Sequence, residues 1–178
     1  MNGWRRRGTA LVATFSEREA GLLRGLVSQV RELLAARVAA NPQDELAALT
    51  GIVAGPATAP EDRVLARLLP DFHREDSALS GGLRSLHEPE LVASKDSVAA
   101  VVLDTCPPRG GRVRLSEEQA QAWLTALNDV RLALGTVLDV TEDMPDELPA
   151  EDPRAPHLPV YHWLTWVQES LIQALTST

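Results

Sequence analysis

The chain has 178 residues, 44% of them hydrophobic and 24% charged, which suits one domain that buries a core without help from metal or disulfide. A net charge of -8 argues against a nucleic-acid-binding module, which presents a basic face to phosphate. A single cysteine, Cys106, excludes an internal disulfide, and no run approaches the roughly 18 apolar residues that span a bilayer.

Arg5-Arg6-Arg7 is the one basic run and reads as a solvated N-terminal tail, short of the usual nucleic-acid patch. Thr9–Phe15 is apolar, partly β-branched and short. It reads as a strand, and it is too short for the apolar core of a signal peptide, so the chain reads as cytoplasmic. Ser16 with Glu19 forms a capping box: the hydroxyl accepts from an amide of the first turn while the carboxylate reaches back. Ala20, Leu23, Leu26, Val27, Val30, Leu33, Leu34 and Val38 then recur at helical spacing and predict a helix ending near Ala39, before Asn41-Pro42.

A short helix is expected over Asp44–Leu49 and a loop over Gly51–Pro60. Pro60 is placed to open the next helix, whose apolar side is Val64, Leu65, Leu68 and Leu69 and whose end is Pro70. Asp71–Gly82 reads as irregular. Glu88-Pro89-Glu90 then opens a helix with Val92, Val98, Val101 and Val102 inward, ended by Cys106-Pro107-Pro108. Arg112–Leu115 alternates as a second strand, Ser116 with Gln119 makes a second capping box, and Ala120, Trp123, Leu124, Leu127, Val130, Leu134, Val137 and Leu138 carry the next helix. Residues 139–159 hold seven acidic residues and five prolines against one arginine, a composition that predicts a mobile or extended linker. The last helix begins near Pro159.

The two strand–cap–helix units echo each other 100 positions apart. Phe15-Ser16-Glu17 matches Leu115-Ser116-Glu117, and Val30-Arg31 matches Val130-Arg131. A lone short strand is not stable, so the two strands are expected to pair antiparallel. The predicted fold is a single mainly α domain over 1–178, a helical bundle with a small two-stranded antiparallel β ribbon.

No residue pattern names a catalytic site. His73, His87, His157 and His162 are scattered and make no zinc-type grouping. Neither Gly81-Gly82 nor Gly110-Gly111 sits in a phosphate-binding loop, and there is no nucleophile elbow. Glu142-Asp143 lacks the spacing of a calcium loop. Cys106 falls at a helix C-terminus, where the negative dipole end disfavours a thiolate. Asn128, Asp129 and Arg131, together with Glu169 on the last helix, admit three readings. They could present polar contacts to a partner, line the groove of an enzyme or small-molecule binder, or bond internally to fix the packing. Tyr161, His162, Trp163 and Trp166 crowd one end of the last helix. They serve either as a bundle core or as anchors for a protein partner, since aromatic side chains bury large areas at low entropy cost.

Several stretches carry a family resemblance: Trp4-Arg5-Arg6-Arg7, Arg67-Leu68-Leu69-Pro70, Arg112-Val113-Arg114-Leu115-Ser116, the run from Trp123 through Leu127-Asn128-Asp129-Val130-Arg131 to Thr136, and Trp163-Leu164-Thr165-Trp166 to Leu171. Over nearly its whole length the chain resembles an actinobacterial family of unknown function typified by the oxidative stress regulator AosR. The resemblance implies a cytoplasmic regulator that contacts an alternative sigma factor through protein–protein contact and a thiol switch, for which Cys106 is the sole residue available. The expectation is therefore a non-enzymatic regulatory protein without cofactor or metal. Its partner would be another protein or a second copy of the chain, rather than nucleic acid or membrane.

Overall fold

The computed structural model describes residues 1–40 and 54–177. The helix expected over Asp44–Leu49 lies outside them. The elements are β1 (Asn2–Arg7), β2 (Ala10–Phe15), α1 (Glu17–Ala39), α2 (Arg63–Leu68), α3 (Ser77–Thr105), β3 (Gly111–Leu115), α4 (Glu117–Val137) and α5 (Leu158–Thr176).

The sheet has three antiparallel strands in the order β1-β2-β3, not the two expected. The extra strand is the supposed tail. Its arginines mask an alternation in which Trp4 is buried while Arg5 and Arg7 stay exposed. Trp4 packs edge-on against Trp123, ring centroids 5.2 Å apart, and against Phe15 at 5.9 Å. Arg6 explains why β1 stays in place. Its guanidinium pairs with Glu117 at 2.7 Å and donates to the carbonyls of Leu175 and Ala174. One cation thus satisfies carbonyls at the negative end of α5 and an acid at the start of α4.

The expected pairing of the two echoing strands holds. Leu11 lies opposite Leu115, Ala13 opposite Val113 and Phe15 opposite Gly111. The central partners, Ala13 and Val113, are themselves 100 positions apart, so the echo corresponds to a local two-fold axis through that pair. Both capping boxes form, at Ser16 with Glu19 and at Ser116 with Gln119. Gly110 is needed where β3 meets the start of α1. Its φ is +72°, and a Cβ there would sit 2.6 Å from the Glu17 nitrogen.

Two helix boundaries depart from expectation. α2 begins after Asp62, whose carboxylate accepts from the Leu65 amide at 2.8 Å, rather than at Pro60. α3 begins at Ser77 and runs unbroken through Pro89. A proline inside a helix strands the carbonyl four residues earlier. Here that carbonyl, on Ser85, accepts from the Gly55 amide at 2.7 Å. Residues 139–157 form a succession of turns, not an extended linker. Arg154 anchors them through Asp152 and the Leu138 carbonyl. The core lies between the inner sheet face and α1, α3, α4 and α5, with Phe15, Leu23, Leu34, Val102, Leu115, Trp123, Leu127, Leu164 and Leu171 at its centre.

Candidate interaction surfaces

The polar run of α4 divides between two neighbours. Asp129 is buried and meets the Lys95 ammonium of α3 at 2.6 Å. Burial pushes its carboxyl above the ordinary value, against the downward pull of Lys95. Arg131 projects instead toward α5. Its Nε donates to Thr165 Oγ1 at 3.1 Å and its Nη1 to Gln168 Oε1 at 2.6 Å, and its guanidinium lies 5.6 Å over the Tyr161 ring. Asn128 and Glu169 are both exposed. The four residues therefore share no single groove.

The aromatic residues of α5 also separate. Successive helical residues turn by about 100°, which sets Trp163 and Trp166 on one side and Tyr161 on another. Tyr161 lies against Gly135 of α4, where a Cβ would come within 3.2 Å of the ring. Trp163 is half-buried against the core, and its indole N–H has no acceptor among the described residues. Trp166 is 42% exposed. It sits beside Gly3 of β1, in a stripe of exposed residues with His162, Glu169 and Gln173.

The outer face of the sheet was not singled out by the sequence. The strand registers set Arg5, Val12 and Arg114 in one row and Thr14 beside Arg112 in the next. Arg5, Arg7, Arg112 and Arg114 are all exposed, and none enters an ion pair among the described residues. The signal was present in the alternation Arg112-Val113-Arg114-Leu115, but the third strand that gathers the arginines was not anticipated.

A buried polar knot ties α3 to its surroundings. Arg84 and Glu88, 1% and 2% exposed, pair at 2.7 Å. Arg84 also reaches Asp71 and the carbonyls of Leu69 and Pro70, while Arg37 of α1 pairs with Glu88 at 2.9 Å. Among the described residues no buried polar atom of this knot is left without a partner, which assigns it to packing.

Cys106 caps the C-terminus of α3 and is buried. Burial raises its thiol pKa, only partly opposed by Arg24, whose guanidinium donates to the Cys106 carbonyl at 2.6 Å. Among the described residues no group of His, Cys, Asp or Glu could hold a metal ion, and no helix is long and apolar enough to cross a membrane.

Comparison with known proteins covers almost the whole chain. It is 43% identical over 192 residues to a putative oxidative stress regulator AosR of Mycobacterium leprae, an alignment that spans 98% of this chain and 88% of that protein. It is 42% identical over 183 residues to the oxidative stress regulator AosR of Mycobacterium tuberculosis and of Mycobacterium bovis, spanning 96% of this chain and 84% of each. No solved structure matches. Residues 1–175 match the model of a domain of unknown function, DUF2017, and the chain belongs to that family.

Proposed function

We propose that this protein is a regulator of the oxidative stress response that acts by docking on a protein partner, with an alternative sigma factor as that partner. The observation that carries the reading is the similarity to named oxidative stress regulators across nearly the full length of both proteins.

Two surface features support docking. Trp166 offers an exposed indole on the outward stripe of α5. Beside it, β1 leads into the sheet face that carries Arg5, Arg7, Arg112 and Arg114. An aromatic anchor flanked by guanidinium groups suits an acidic protein surface. The chain as a whole is acidic, with 25 Asp and Glu against 17 Lys and Arg, which opposes long-range attraction to nucleic acid. A thiol switch built on Cys106 is not favoured, because the thiol is buried and has no second cysteine to pair with.

Titrating the purified chain against the purified sigma factors of its host tests the reading. Saturable binding to one of them that weakens on Trp166→Ala supports it. Failure to bind any of them, with the chain folded, removes the sigma factor from the account.

A further inference from the structure

The groove where α2, the C-terminal half of α4 and the start of α5 meet contains more positive charge than it neutralises. Arg63 and Arg67 lie one turn apart on α2 and line the groove with Arg131. Asp139 supplies one carboxylate, and Arg63 takes it. Arg131 is half-buried, yet its partners, Thr165, Gln168 and the Tyr161 ring, are all neutral. Arg67 has no ion-pair partner among the described residues. Two guanidinium charges therefore face one concave space without a counter-charge.

That arrangement runs against the composition. In a chain of net charge -8, acidic side chains are the commoner neighbours, so an unneutralised pair of arginines in a concavity raises the free energy of the empty groove. Holding a half-buried cation without an anion is costly, and an anionic ligand offsets that cost.

We propose that this groove is a binding site for a small phosphate-bearing molecule. Guanidinium forks match phosphate oxygens in paired hydrogen bonds, and arginines approaching from α2 and α4 can bond separate oxygens of one group. A phosphate presents three such oxygens, where a carboxylate has two. Tyr161 and Leu132 provide an apolar wall for the body of the ligand. The groove volume of about 280 Å³ admits a phosphate with a small organic group. Gly135 contributes by leaving room for the Tyr161 ring to pack close against α4. The site is separate from the sheet face and from Trp166, so it stands or falls independently of the sigma-factor reading.

Calorimetric titration of the full chain with inorganic pyrophosphate, at fixed ionic strength, tests the proposal, with succinate as the carboxylate comparison. Pyrophosphate is expected to bind once per chain and more tightly than succinate. Arg67→Ala and Arg131→Gln should each weaken it by roughly tenfold or more, the loss expected for one charge-assisted contact. Arg109→Ala, an exposed arginine away from the groove, should leave it unchanged. Arg67 is exposed on a short helix, so its variant decides the matter even if Arg131→Gln fails to fold. Absence of pyrophosphate binding, equal weakening by Arg109→Ala, or tighter binding of succinate would each overturn the assignment.

Discussion

Pro89 and Ser85 stand one turn apart inside α3, and the hydrogen bond that the proline cannot make to the Ser85 carbonyl is made by Gly55 from outside the helix. The approach is close: a Cβ on Gly55 would lie 2.8 Å from the Pro89 ring. Gly55→Ala should therefore destabilise the protein by about 1–3 kcal/mol, the usual cost of overpacking a filled contact, as read by urea unfolding. Pro89→Ala should restore the helical N–H and compete for the Ser85 carbonyl. Amide exchange at Gly55 should then accelerate. Unchanged exchange would mean that the segment is held by something other than this bond.

The Arg84–Glu88 pair gives a second prediction. Both side chains are almost fully buried, so removing the acid leaves Arg84 with only the exposed Asp71 and neutral carbonyls. Glu88→Ala should cost about 3–5 kcal/mol, the penalty for breaking a buried pair. Arg31 and Asp96, a more exposed pair bonded at 2.6 and 2.9 Å, should contribute far less. Chemical denaturation of Glu88→Ala and Asp96→Ala side by side checks the order.

Asp129 makes stability depend on pH with a definite sign. Burial raises its folded-state pKa above the ordinary carboxylate value, so the folded state holds the proton more firmly than the unfolded chain does. The group's contribution is fully present below the unfolded pKa and is lost as pH rises through the folded pKa. Relative to Asp129→Asn, the wild type should lose stability as pH rises from below 4 through the folded value. A wild type that instead gains stability over Asp129→Asn as pH rises would show that Lys95 outweighs burial.

These three relationships also mark what the sequence could disclose. Helical periodicity and capping boxes are local signals, so α1 and α4 were legible almost to the residue. The pairing of the two echoing strands was legible because isolated strands need partners. Glu88-Pro89-Glu90 looks like a helix start in the sequence because the group that rescues its turn, the Gly55 amide, is 34 positions away in the chain. β1 looks like a solvated tail in the sequence because its three arginines hide the role of Trp4 and Arg6, which find α4 and α5 only in the fold. The polar run of α4 was visible, but its division between Lys95 and the groove of Tyr161 depends on which helices lie on either side. The arginine face of the sheet was hidden for the same reason, since it gathers residues more than 100 positions apart.

The thiol offers a fourth prediction. Cys106 is buried, and burial raises its pKa, so a disulfide reagent such as Ellman's should react slowly with the folded chain and at the ordinary rate after denaturation. Cys106→Ser should keep partner binding under both reducing and oxidising conditions. Rapid native labelling, or loss of the oxidant response in Cys106→Ser, would return the thiol to the mechanism.

The most direct test of the docking account is equilibrium binding of the full chain to the host's purified sigma factors, comparing wild type with Trp166→Ala and with Arg5→Glu combined with Arg114→Glu. All three positions are exposed, so the variants should fold as the wild type does. The account predicts saturable binding to one sigma factor, weakened by about tenfold or more in each variant and weakened by added salt in the wild type. Binding of equal strength in all three proteins, or none in the wild type, would contradict it.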